Sequence, residues 1–257
     1  MLELLKGFFD GVGKWFLFSR RVISVCFKEG VDKKQLVEQM YQVGSRSIPL
    51  TAIAGLFVGA ILAIQINLQL KDFGAQSFLG GLSTSTTLRN LGPVLIAFIL
   101  AGRVGAFSTA ELGTMSITEQ LNAIRCLGLN PLSVIIVPRL VALTLSSFLL
   151  LVLGLGLTVL GGISISAVAL KVNPLQFTSH ISQFVSLSSI SMGMIKSFLY
   201  GLLIGTISCF VGYHTNGGAE DVGRSVRRTA VVTLVSIIVT DFLVSVVSEA
   251  VKTFFGG

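Results

Sequence analysis

The sequence predicts an all-α polytopic membrane protein of about five transmembrane helices, with an N-terminal interfacial helix and a short cytoplasmic helix between the second and third spans. Three observations predict it. Hydrophobic residues make up 52% of the 257 and charged residues only 12%, about half the ~25% of an ordinary soluble domain. The charges gather in short segments between apolar runs. Those runs are long enough, at about 20 residues, for a helix to cross the ~30 Å hydrocarbon core. Continuous runs of this kind are helix signals, not the alternating strands of a barrel, and a span with unpaired backbone groups is too costly in lipid.

Residues 1–47 form an N-terminal interfacial and cytoplasmic segment, and residues 48–257 a transmembrane domain. In the first 28 residues, Leu4, Leu5, Phe8, Val12, Trp15 and Phe16 fall on one side of a helix, and Lys6, Asp10 and Lys14 on the other. Such a helix either lies in the headgroup plane with Trp15 as anchor or packs on another protein. The apolar stretch Phe8–Phe18 is broken by Asp10 and Lys14 and is followed by no small-residue cleavage site. Direct insertion into a bacterial inner membrane is therefore expected.

The first span covers residues 48–69 and the second 91–108. The third covers 140–165, within an uncharged run from Leu140 to Leu170. That run would be about 46 Å long as a helix, so it must tilt, kink near Gly161-Gly162 or emerge. The fourth and fifth cover 195–213 and 230–251. Lys and Arg number eight in 1–47, three in 103–139 and three in 214–228, with only five in the alternate segments. The positive-inside rule then places the N-terminus in the cytoplasm and the C-terminus in the periplasm. The net charge of +7 is thus a matter of topology and lipid headgroups, with no nucleic-acid partner. Gly55-x-x-x-Gly59 and Gly201-x-x-x-Gly205 have the spacing of close helix contacts, within one bundle or between copies.

Cys26, Cys126 and Cys209 form no CxxC pair, and His180 and His214 stand alone. No metal site is expected. Asp241 falls near the middle of the fifth span, where a charge costs roughly 2.5–3.5 kcal/mol. It must face a cavity, be paired or be protonated. Lys196 starts the fourth span and either snorkels to the interface or joins Asp241 around an outward-facing cavity. Gln65 and Asn67, at the outer end of the first span, either meet water or border the same cavity. Arg103 and Glu111 are about two turns apart near the cytoplasmic end of the second span. Arg224 and Arg228 lie one turn apart before the fifth.

The segment Ala110–Pro131 follows the second span. Ser116 with Glu119 reads as a capping box, and Gly128 then Pro131 as a helix end. The spacing predicts a cytoplasmic helix over about 116–128, with Ile117, Leu121, Ile124 and Leu127 on one face and Glu119 and Arg125 beside it. So short a helix is marginal alone. It packs either on the rest of the chain or into the groove of a soluble partner.

This segment, with Leu91-Gly-Pro-Val94 and Ala101-Gly-Arg-Val-Gly105 before it, resembles the MlaE family of ABC-transporter permeases. The resemblance covers nearly the whole chain. It implies a permease that moves phospholipid and works as a homodimer bound to ABC ATPase subunits. It also implies an MCE-domain lipid-binding protein on the outer side and a small cytoplasmic accessory subunit. Ile117, Glu119, Leu121, Ile124, Arg125 and Leu127 would then couple to the ATPase. Asn90, Lys196, Asp241, Gln65 and Asn67 would line the lipid cavity. Family members often carry Glu before Leu-Gly-Pro, where this chain has Asn90. No GxxxxGK[ST] is present, and Gly11-Val-Gly-Lys14 lacks the upstream Gly and is followed by Trp15. The chain is therefore expected to hold no cofactor and to rely on ATP hydrolysed by its partner. The alternative function is a secondary transporter or channel working alone, which calls for more mid-depth ionisable groups and an internal repeat.

Overall fold

The structure, a computed structural model, describes residues 2–30, 33–170 and 172–255, with side chains over 10–28, 30, 33–170, 172–250 and 253. All regular elements among them are helical. They are α1 (Leu2–Glu29), α2 (Lys33–Gly44), α3 (Ile48–Asp72), α4 (Leu79–Thr86), α5 (Gly92–Leu100), α6 (Ala106–Ile117), α7 (Gln120–Cys126), α8 (Val137–Val168), α9 (Pro174–Ser179), α10 (Ile181–Phe184), α11 (Leu187–Tyr213) and α12 (Ala219–Phe255). Five continuous helical stretches are long and apolar enough to cross a membrane: Lys33–Asp72, Gln76–Ile117, Leu132–Val168, Leu187–Tyr213 and Ala219–Ala250. Each is longer than its uncharged run because polar helix ends continue it. The second begins at Gln76 rather than Leu91. The Gly-, Ser- and Thr-rich α4 reads as loop by hydropathy, yet it is helical and packs on α3, α9 and α10.

Three π-helical turns interrupt these helices, at Thr87–Leu91, Ala101–Gly105 and Leu132–Ile136. Two have a visible cause. Pro93 and Pro138 have no N–H to give the carbonyls of Arg89 and Val134, so the ladder widens just before each proline.

The chain forms two compact units. One gathers the described chain up to Ser45 with Ala101–Ser146 and Leu202–Leu234. Its core includes Val22, Val104, Leu112, Ile136, Leu143 and Ile204. Helix α1 has three faces here. Phe18 and Val22 turn inward, and Phe18 meets Phe210 and Tyr213 with ring centroids 5.5 and 5.6 Å away. Val12, Phe16, Ile23 and Phe27 form an exposed apolar stripe. Asp10, Lys14 and Arg21 occupy the remaining side. Trp15 is half-buried, with its indole nitrogen inside the protein, and so is not the expected anchor; the exposed stripe is what faces outward. The side chains of Leu4, Leu5, Lys6 and Phe8, and of Val251 and Lys252 at the other end, lie outside the described residues.

The second unit gathers Arg46–Leu100, Ser147–Gly201 and the chain from Val235. In it α3 and α8 touch backbone to backbone. A Cβ on Gly55 would sit 2.7 Å from the Gly154 carbonyl oxygen, and one on Gly59 or Gly161 would collide with the Thr158 or Leu56 carbonyl. Gly161-Gly162 therefore serves close approach, and α8 runs unbroken through it. In the first unit a Cβ on Gly205 would sit 3.0 Å from the Leu140 side chain, a close packing contact with side chains of α8 and not with its backbone. Both small-residue motifs thus place glycines in contacts within the bundle.

Candidate functional site

Helix periodicity sets Lys196 and Tyr200 one turn apart on α11, and Asp241 and Ser245 one turn apart on α12. The two ladders meet. Lys196 Nζ lies 2.6 Å from Asp241 Oδ1 and donates to Ser245 Oγ at 3.0 Å. Tyr200 donates its hydroxyl to the same Asp241 oxygen at 2.7 Å. Lys196 is 1% exposed and Tyr200 is fully buried, while the Asp241 side chain keeps 28% of its surface. Of the alternatives open for Asp241, pairing is what the structure shows, and Lys196 does not snorkel. A buried ion pair is tolerable only when its remaining valences are filled. Ser245 and Tyr200 fill them here.

Beside this pair opens a cavity of about 370 Å³, bordered by Lys196 and Ser245 and by Arg89 and Asn90. Met192, Phe242 and Val246 supply its apolar wall. Arg89 and Glu249 also border it and are ion-paired at 2.9 Å. The π turn Thr87–Leu91 carries Arg89 and Asn90. The site is therefore amphiphilic, with the Asn90 amide and side chains of two ion pairs beside an apolar face. Gln65 and Asn67 do not join it. Gln65 is exposed on α3. Asn67 is buried and accepts from Gln76 Nε2 at 3.4 Å. Hydropathy gave their depth but not the direction they face. Tyr200, Ser245, Arg89 and Glu249 were not singled out from the sequence, although polar residues one turn from Lys196 and Asp241 were the signal available.

The segment after the second span departs from its expected form. Helix α6 continues through Ser116 to Ile117, so Ser116 caps nothing and the capping box is absent. The chain breaks at Thr118–Glu119, with Glu119 at φ 59°, and restarts as the seven-residue α7. Glu119 instead accepts from the Asn122 amide. The far end does match its reading. Gly128 adopts φ 76°, and the bonds Leu129 N→Ile124 O and Gly128 N→Arg125 O complete a Schellman end. The expected single stripe is divided. Leu121 is buried and Ile124 half-buried within the chain, and Ile117 belongs to α6. Leu127 and Leu129 are 76% and 51% exposed. Arg125 donates to Tyr213 Oη at 2.5 Å and lies over its ring. This short helix is thus docked on its own chain by one side and leaves an apolar tip uncovered.

Glu111 pairs with Arg139, at 2.7 Å. Arg139, a lone charge in front of the long uncharged run, is 2% exposed and also donates its Nε–H to Gln39 on α2 at 3.3 Å. Arg224 pairs within its own helix, with Glu220 and Asp221 at 3.0 and 3.4 Å.

Comparison with known proteins agrees with this architecture. The family model described as Permease MlaE matches residues 36–247. A probable ABC transporter permease protein of Synechocystis sp. is 32% identical, over 93% of this chain and 94% of the relative. One from Rickettsia typhi is 31% identical over 93% of this chain and 92% of its own length. The chloroplastic protein trigalactosyldiacylglycerol 1 of Arabidopsis thaliana is 30% identical, over 89% of this chain and 65% of that protein.

Proposed function

The chain belongs to the MlaE permease family and is a multi-pass ABC-transporter permease; from that premise we propose that it moves phospholipid between the bacterial inner membrane and a periplasmic MCE-type carrier. The observation that carries this reading is the amphiphilic cavity. A phospholipid needs hydrogen-bond donors and positive charge for its phosphate and an apolar wall for its chains. The Asn90 amide and the Arg89 N–H groups left over from its pairing with Glu249 provide donors, with Lys196 held on Asp241 behind them, and Met192, Phe242 and Val246 provide the apolar wall. The Arabidopsis relative bears the name of a diacylglycerol lipid, which supports a glycerolipid cargo.

The energy comes from a partner ATPase, since family membership implies one. Its contact is the uncovered tip of α7, where Leu127 and Leu129 project beyond the buried Leu121. The positive-inside count puts this tip and the N-terminus in the cytoplasm and the C-terminus in the periplasm. The permease works as a homodimer. In support, only 11% of the most apolar window of the fifth span is buried, against 33–56% for the other four. A second copy would cover Val235, Ile238 and Val239, which are exposed and lie outside the cavity. The exposed stripe of α1 lies in the headgroup plane.

The docking claim is checked by co-purification. Leu127→Asp with Leu129→Asp should reduce recovery of the ATPase at least about tenfold, since two buried leucines lost from an interface cost a few kcal/mol. The same variant should keep its thermal stability, because neither side chain is buried in the chain itself. Undiminished recovery would mean that α7 is not the contact.

A further inference from the structure

Helices α6 and α8 flank α7, and an ion pair between the buried Arg139 and the half-buried Glu111 joins them. Glu111 stands on α6 before the break, and Arg139 stands at the head of α8 after the π turn. Arg139 Nη2 meets Glu111 Oε1 at 2.7 Å, and Arg139 Nε–H reaches Gln39 of α2. The other half of the same two groups is unused. Arg139 Nη1 and Glu111 Oε2 are both buried, and neither has a hydrogen-bond partner among the described residues. A guanidinium and a carboxylate that meet squarely make two parallel bonds. Here they make one, with the two free atoms belonging to the bond not made.

Buried polar atoms without partners are rare and costly, and a half-satisfied buried ion pair stabilises poorly. We propose that Arg139 is a positioning residue that switches between this one-contact pairing with Glu111 and a two-contact fork, and so transmits the displacement of α7 to the spans on either side. The inference rests on the coupling role of α7 given above. The movement that would close the fork is a slide of packed helices, which ordinarily runs to about 1–2 Å. The segment between the two charges is built to pass such a slide on. Its ends are fixed by two positive-φ residues, Glu119 and Gly128. Its body is held by Leu121 in the core and Arg125 on Tyr213, so it moves with its neighbours and not independently. Gln39 adds the N-terminal segment to the same clamp.

Glu111→Gln tests this. The amide is isosteric and keeps one acceptor for Nη2, but its NH₂ would oppose Nη1, so the fork cannot close. The readout is maleimide labelling of Ser248→Cys, which borders the cavity, in a background with Cys26, Cys126 and Cys209 replaced. The ATPase-bound complex is labelled with and without ATP and vanadate. With Glu111 intact the labelling rate should change at least about fivefold on nucleotide trapping. In Glu111→Gln it should change less than twofold, while ATPase recovery and hydrolysis persist. Arg139→Lys, which keeps the charge but cannot fork, should behave the same way. A wild-type-sized response in Glu111→Gln overturns the switch. Failure of both variants to assemble overturns it too, in favour of a purely structural pair. No nucleotide response with Glu111 intact would instead remove the coupling role on which the inference rests.

Discussion

Asp241→Ala should destabilise the purified protein by about 3–5 kcal/mol, the usual cost of removing one partner from a buried pair. The change strands the Lys196 ammonium, which is 1% exposed, and leaves the Tyr200 hydroxyl without its acceptor. Lys196→Met combined with Asp241→Leu removes both charges and should recover most of that loss, because an apolar replacement of similar volume is near neutral. Chemical unfolding in detergent, followed by helix content, reads both. Transport should separate from stability in this series. The double variant should be stable yet inactive in lipid traffic, since the cavity has lost the ammonium that borders it. If the double variant were active, the pair would be structural only. If Asp241→Ala unfolded no more easily than the parent, the pair would not be buried as described.

Gly59→Val should prevent accumulation of the protein in the membrane. Overpacking a core with extra methyl groups costs about 1–3 kcal/mol when side chains can yield. Here the obstacle is the Thr158 carbonyl in the backbone of α8, so α3 must separate from α8 along several turns. Gly161→Val meets the Leu56 carbonyl from the other side and should fail likewise. Gly156→Val is the control. It lies on α8, where an added Cβ finds nothing within 4 Å, and should accumulate normally. Equal membrane levels of the three variants by immunoblot would mean that the α3–α8 contact is looser than drawn.

These two sites show what sequence reading can and cannot reach. Asp241 and Lys196 stood out because charge in hydrocarbon is costly whatever the fold, so each demanded an explanation. Their partners did not stand out. Tyr200 and Ser245 are ordinary polar side chains whose role exists only because α11 and α12 cross at that level. Gln65 and Asn67 were placed in the cavity by depth alone, and rotation about the helix axis decided against both. The five spans were legible because hydropathy measures the solvent directly. Their ends were not, because α4 is apolar-poor and gains its partners, α3, α9 and α10, only in the fold.

At α7 the two ends differ instructively. Gly128 was read correctly since a helix stop through a positive φ is a local demand. Ser116 with Glu119 fitted the capping-box pattern, but a cap requires the chain to enter from a non-helical conformation. Helix α6 arrives still helical, and the pattern loses its meaning. Similarly, Leu91-Gly-Pro-Val94 and Ala101–Gly105 were recognised as motifs, whereas the π turns at or beside them became visible only in the backbone. Helix α1 was read with one apolar side and has two, one for the protein and one facing outward.

The most direct test of the account is movement of labelled phosphatidylethanolamine in proteoliposomes holding this chain alone, or this chain with the ATPase that co-purifies with it. An acceptor carrier of the MCE type is supplied outside. The account predicts transfer that requires ATP and the ATPase together and falls to background when either is omitted. ATP-independent transfer by the chain alone, driven by a proton gradient, would contradict it.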